Sequence, residues 1–238
     1  MNGEDAQHIL YQILNCQMMD YPFPHFYTEK VFSEKFYQRL LSSIPDKSLY
    51  RKIGDTGSVP NGAYEERFVF SLEEKLIDQL PKDKRVFWRD LTGWILSSEF
   101  FSRIFDKFGE DMEERFQDYE GDPNFSTKAS LVRDETNYSI GPHTDIPKKV
   151  LTLLFNLPET DENSHWGTSI YVPKDPEFIC SVGRHYPFEG FELVRKFPFK
   201  PNSVFGFFRT DNSFHGLSPI LDEGAKRNTL TYRVDLDF

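Results

Sequence analysis

Apolar residues recur at helical spacing through the first half of the chain and give way to short β-favouring runs in the second. Ile9, Leu10, Ile13 and Leu14 form one apolar stripe on a helix of about four turns, which Tyr21-Pro-Phe-Pro-His25 breaks. A second helix is predicted from near Ser33, with Phe36, Leu40, Leu41 and Ile44 on one face and a stop at Pro45. Residues 46–63 carry Gly54, Gly57, Pro60 and Gly62 among few apolar positions, the pattern of an exposed loop able to fold over a site. Ser71 with Glu74 reads as a capping box for a short helix ending at Pro81. Residues 84–118 then continue helical, with Leu91, Trp94, Ile95, Phe101, Ile104, Phe105 and Phe108 in the stripe.

Beyond Gly121-Asp122-Pro123 the period shortens. Strands are predicted near 126–134, 143–145, 150–157, 167–172, 191–197, 203–208, 213–217 and 228–236. Helices first and strands afterwards fit helices buttressing one face of a β-sandwich, and eight antiparallel strands point to a jelly roll, the double-stranded β-helix of cupin-like proteins. The expected unit is one mainly β domain over 1–238, with a helical support layer over 1–120 and a jelly-roll core over 121–238. The stretch 173–190, with Pro173, Pro176, Gly183, Pro187 and Gly190, is long for a strand connection and is the expected seat of specificity.

Composition narrows the partners. A formal charge of −10 with no basic run argues against a phosphate backbone, so no nucleic-acid partner is expected. The acidic start, Met1-Asn2-Gly3-Glu4-Asp5, and the lack of a long apolar run predict neither a signal peptide nor a membrane span, hence a soluble, cytoplasmic protein. Cys16 and Cys180 make no disulfide framework and no zinc cluster, and are expected as buried, reduced thiols.

Candidate chemistry sits in the second half. Within Tyr138-Ser-Ile-Gly-Pro-His143-Thr-Asp145 the histidine and aspartate stand two apart, so on an extended strand both point to one face. A lone His-x-Asp is common by chance. His215 adds weight, because it lies 70 residues after Asp145, follows the run Val204-Phe-Gly-Phe-Phe208 and precedes Gly216. Two imidazoles and one carboxylate make the facial triad suited to non-haem Fe(II), which leaves positions for a chelating cosubstrate and for O2; zinc favours a closed tetrahedral set. Arg227, 12 residues past His215, shares a strand face with Thr229. A guanidinium pairs bidentately with a carboxylate and a nearby hydroxyl adds a donor, which suits the distal end of 2-oxoglutarate. Tyr138 either donates its hydroxyl to the oxo acid or packs in the sandwich. Arg233, on the same strand, competes with Arg227 for the role.

The plainer alternatives are two core histidines with a surface carboxylate, and a surface ion pair at Arg227. His25, His165 and His185 lack partners at ligand spacing and read as loop or packing histidines. Trp166, Phe207 and Arg209 read as core before they read as pocket wall.

The set His143-Thr-Asp145, His215-Gly216 and Arg227-Asn-Thr229 resembles the 2-oxoglutarate/Fe(II) oxygenase superfamily, particularly its small prolyl-hydroxylase-like bacterial and phage members. Pro22-Phe-Pro-His-Phe26 with the helix after it is similar to the opening segment of these proteins, and Trp166-Gly167 to the strand after a variable loop. Arg-x-Thr stands where many members have Arg-x-Ser. Trp166-Gly167-Thr168 replaces a paired glycine, and Lys200-Pro-Asn-Ser203 a glycine-containing turn, which leaves the subfamily and substrate open. The resemblance implies a jelly-roll enzyme that uses Fe(II), 2-oxoglutarate and O2 to hydroxylate a small molecule, an amino acid or a peptide side chain, releasing succinate and CO2. It also implies no halogenation, since members that halogenate carry a small residue where Asp145 stands. Competing functions are a cupin-like metal dioxygenase that does not use 2-oxoglutarate, and a non-catalytic jelly-roll binding protein. The first has no use for Arg227 and Thr229; an intact triad argues against the second.

Overall fold

In the computed structural model, residues 1–57, 59–60, 62–119, 121–178, 180 and 185–237 are described. The chain runs α1 (Gly3–Asn15), β1 (His25–Glu29), α2 (Glu34–Ser42), β2 (Arg51–Lys52), β3 (Arg67–Ser71), α3 (Glu74–Ile77), α4 (Lys82–Ile95), α5 (Ser98–Lys107) and α6 (Gly109–Phe116). The remaining elements are strands β4 (Asn124–Glu135), β5 (Ile140–His143), β6 (Lys149–Asn156), β7 (Ser169–Pro173), β8 (Phe191–Lys196), β9 (Ser203–Phe208), β10 (His215–Leu217) and β11 (Lys226–Asp237).

The strands form two antiparallel sheets, β1-β9-β6-β11-β4-β3-β2 and β5-β10-β7-β8. Eight of them, β4 to β11, make the two four-stranded layers of a jelly roll, as the strand pattern predicts. The larger sheet separates two environments by simple alternation. Along β11, Leu230, Tyr232, Val234 and Leu236 face the helices and join the main core with Ile9, Ile13, Leu40, Trp88, Leu91 and Phe100. Arg227 and Thr229 lie on the opposite face, toward the smaller sheet. The two sheets meet where Ile170 packs against Phe205 and Phe207. Among the described residues no helix is long and apolar enough to cross a membrane.

Several local expectations yield to long-range pairing. The first half contains three strands as well as helices, because β1 pairs with β9 and β3 with β4, partners far away in sequence that local periodicity cannot show. Part of the predicted loop 46–63 is therefore strand β2, paired with β3. Ser71 is no helix cap: it closes β3 opposite Ser130 and donates to the Glu73 carboxylate, while Glu73 stands at the cap of α3 without a side-chain bond to the helix's first amides. The predicted helix over 84–118 is three helices. Ser97 accepts from the Phe100 amide to start α5, and α6 begins afresh at Gly109, while the apolar stripe persists because all three cover one core. The predicted strand 143–145 is β5, which ends at His143. Cys180 is buried and Cys16 only half-buried, and neither forms a disulfide. Of the stretch 173–190, residues 179 and 181–184 lie outside the described residues.

Candidate metal centre

His143 closes β5 and His215 opens β10, and the two are directly paired, which sets their rings side by side with centroids 4.3 Å apart. Gly216 permits that approach: a Cβ there would lie 2.7 Å from the Ile140 carbonyl oxygen, so any side chain would force β10 off β5. Each ring is oriented by its own backbone. His143 Nδ1 lies 2.9 Å from Gly141 O and His215 Nδ1 2.9 Å from Ser213 O. A carbonyl only accepts, so the proton sits on Nδ1 in both rings and the Nε2 lone pair is free for a metal. Asp145 stands two residues past His143, just beyond the strand rather than on it, and still reaches the same point. One donor atom from each of the three lies within 4.8 Å of the others, and all three side chains are buried.

The electrostatics suit a divalent cation. Burial pushes His143 down to about 3, and the neighbouring His215 adds to the effect. His215 is lowered by burial as well, against the pull of Asp145. Both imidazoles are therefore neutral near pH 7 and ready to ligate. Burial alone would raise the Asp145 carboxyl, but the adjacent Lys149 ammonium is the strongest opposing influence and the carboxyl stays below its ordinary value. Its oxygens are fixed by Lys149 Nζ at 2.6 Å and by Thr152 Oγ1 at 3.2 Å.

Arg227 is 4% exposed, which excludes the surface ion pair. Its Nε donates to Trp166 O at 2.9 Å, Nη1 to Asp134 Oδ2 at 3.0 Å and to Thr229 Oγ1 at 3.2 Å, and Nη2 to Thr168 Oγ1 at 3.4 Å. Thr229 thus meets Arg227 on one strand face, as predicted. Tyr138 is buried with its hydroxyl unpartnered. Burial pushes that hydroxyl's pKa up, so it remains a donor in search of an acceptor. Arg233 pairs instead with Asp235 and is half-buried. An orphaned buried donor beside two arginines fits a carboxylate, and two neutral imidazoles with one carboxylate fit Fe(II).

No protein-family model matches the sequence, and the curated proteins give no relative. Solved structures do. Prolyl 4-hydroxylase from Phytophthora capsici superposes with a TM-score of 0.53 at 16% identity, covering 99% of this chain and 67% of that one. The non-haem α-ketoglutarate-dependent carbocyclase SnoK of nogalamycin biosynthesis gives a TM-score of 0.53 at 13% identity, over 100% of this chain and 84% of that one. The chain shares the fold of these two proteins. At such identities the likeness lies in the fold, a jelly roll buttressed by helices.

Several residues of this fold stand closer to the cluster than local pattern indicates. The Phe207 ring lies 4.4 Å from that of His215, and Arg209 Nε donates to the Asp145 carbonyl at 3.1 Å. His185, read as a loop or packing histidine, sets its ring edge-on to His143 at 4.4 Å and to Tyr64 at 5.2 Å. It is not among the three converging donors. His25 is a packing histidine among Phe23, Phe197 and Phe205, and His165 is an exposed partner of Asp222. Asp134 and Arg67 carry no signal in the linear pattern. Each occupies an alternating polar position that reads as a solvated sheet face, and only their pairing across β3 and β4 brings them inside.

Proposed function

We propose that this chain is an Fe(II)- and 2-oxoglutarate-dependent oxygenase that hydroxylates a small molecule, an amino acid or a peptide side chain. His143, Asp145 and His215 hold the iron and form the catalytic set; Arg227, with Tyr138, receives the distal carboxylate, and Thr229 steadies Arg227. The observation that carries this reading is a pair of complementary features, both made of buried residues. A three-donor cluster within 4.8 Å comes mainly from the small sheet, and a guanidinium beside an unpartnered tyrosine hydroxyl comes from the large one. The cupin-like alternative gives the second feature no purpose.

When bound, iron and 2-oxoglutarate would supply, together with O2, the oxidant for C–H hydroxylation, one oxygen atom going to the substrate and the other to succinate as CO2 is lost. The chain's own residues bind and orient. Neutral His143 and His215 present Nε2, Lys149 and Thr152 hold the Asp145 carboxylate in position, and Phe207 presents an apolar ring beside His215. We further propose one catalytic domain over 1–238, acting in the cytoplasm.

Succinate release tests the reading without knowledge of the substrate. Purified protein given Fe(II), 2-oxoglutarate and O2 is expected to form succinate slowly, and His143→Ala and His215→Ala are expected to form none. Equal succinate from wild type and both variants would refute it.

A further inference from the structure

Arg67, Asp134 and Arg227 form a cross-strand row on β3, β4 and β11, since both arginines are directly opposite Asp134 in the register. Asp134 is fully buried and takes Arg67 bidentately, Nε to Oδ1 at 2.6 Å and Nη2 to Oδ2 at 3.0 Å. Arg227 Nη1 reaches the same Oδ2 at 3.0 Å. Two guanidiniums against one carboxylate leave one positive charge in excess inside the sandwich, an arrangement that invites an anion.

A count of committed donors identifies the groups left open to such an anion. A guanidinium has five N–H groups. Arg227 commits Nε, both Nη1 hydrogens and one Nη2 hydrogen to Trp166, Asp134, Thr229 and Thr168, which leaves a single free donor. Arg67 commits only Nε and one Nη2 hydrogen, so its Nη1 pair and a second Nη2 hydrogen have no acceptor among the described residues. Its guanidinium lies over the Tyr138 ring, 4.2 Å from the centroid, and the Tyr138 hydroxyl is buried without a partner. The Arg67 side chain is 21% exposed against 4% for Arg227, so the open donors belong to the less enclosed arginine.

We propose that Arg67 directly binds the distal carboxylate of 2-oxoglutarate, together with the Tyr138 hydroxyl and the remaining Arg227 donor, and that Asp134 positions both guanidiniums. The inference rests on the oxygenase reading above and adds a second arginine to it, supplied by a strand of the helical half. Selection for a dicarboxylic oxo acid over a monocarboxylic one follows, because a ligand without the second carboxylate leaves the excess charge unmatched.

The test compares two chelators on anaerobic Fe(II)-loaded protein by calorimetry. 2-Oxoglutarate carries the distal carboxylate, whereas oxalate chelates iron and stops short of the arginines. Arg67→Met is expected to weaken 2-oxoglutarate by about tenfold or more, the scale of lost charge-assisted hydrogen bonds, with oxalate unchanged and Arg67→Lys in between. Unchanged 2-oxoglutarate affinity in Arg67→Met would overturn the proposal. So would equal loss of both chelators in both variants, which would make Arg67 a scaffold residue only. Failure of wild type to bind 2-oxoglutarate at all, with iron in place, would instead remove the oxygenase reading and this inference with it.

Discussion

Lys149 places its Nζ 2.6 Å from Asp145 Oδ1, so one oxygen of the candidate iron ligand already carries a cation. The lysine side chain is 26% exposed and the aspartate 7%, a pair buried enough for the charge to count. A bound divalent ion shares that carboxylate with Lys149 and is repelled by it. Lys149→Met is therefore expected to tighten Mn(II) binding several-fold by calorimetry, while metal-free protein loses about 1–3 kcal/mol of stability because Asp145 is left with fewer partners. Weaker metal binding in the variant would show that Lys149 serves mainly to orient the carboxylate.

Gly216 makes the meeting of the two histidines possible. In Gly216→Ala the new methyl would overlap the Ile140 carbonyl oxygen at 2.7 Å, and β10 must shift away from β5. Separation of His215 from His143 is expected to lower metal affinity about tenfold or more, as displaced ligand supports commonly do, with a smaller effect on unfolding. An alanine variant with wild-type metal affinity would mean that the strands can part without moving the rings.

Asp134 neutralises part of a doubly cationic cluster at complete burial. Asp134→Asn is expected to cost about 3 kcal/mol or more in urea unfolding, since it leaves two arginines facing each other with no counter-ion. Loss below about 1 kcal/mol, the level of an exposed pair, would indicate that water already screens the row.

Much of this centre is visible in the linear sequence, and the missing part has a physical cause. His143, Asp145, His215 and Arg227 stand out because each is tied to a strand end or to a fixed offset from a partner. The jelly-roll strands stand out because their runs alternate and are bounded by turn residues. Arg67 and Asp134 do not, because β3 is short, its partner lies far along the chain, and an alternating charged residue looks the same whether its face meets water or a second sheet. His185 escapes for a similar reason, since its contact with His143 depends on how a long connection returns over β5.

Acid sensitivity follows from histidines kept neutral. Burial lowers the His25 pKa from 6.5, with the Phe23 carbonyl opposing and Arg195 assisting, and burial also lowers His143 and His215. The unfolded chain takes up these protons first, so stability is complete above the unfolded value near 6.5 and is lost as pH falls toward the folded values. Each such group contributes a slope of about 1.4 kcal/mol per pH unit while it titrates only in the unfolded chain. His25→Gln, in metal-free protein, is expected to lessen the loss of urea-derived stability as pH falls below about 6.5. An unchanged slope would place His25 among groups that titrate equally in both states.

The most direct measurement is an anaerobic titration of metal-free protein with Fe(II) and then 2-oxoglutarate, followed by visible absorption for the charge-transfer band that chelation of the oxo acid produces. The band is expected in wild type, is expected to vanish in Asp145→Ala and His215→Ala, and is expected to need far more 2-oxoglutarate in Arg227→Ala with iron affinity retained. Iron bound without any band, or a band that survives loss of Asp145 and His215, would contradict the assignment of this centre.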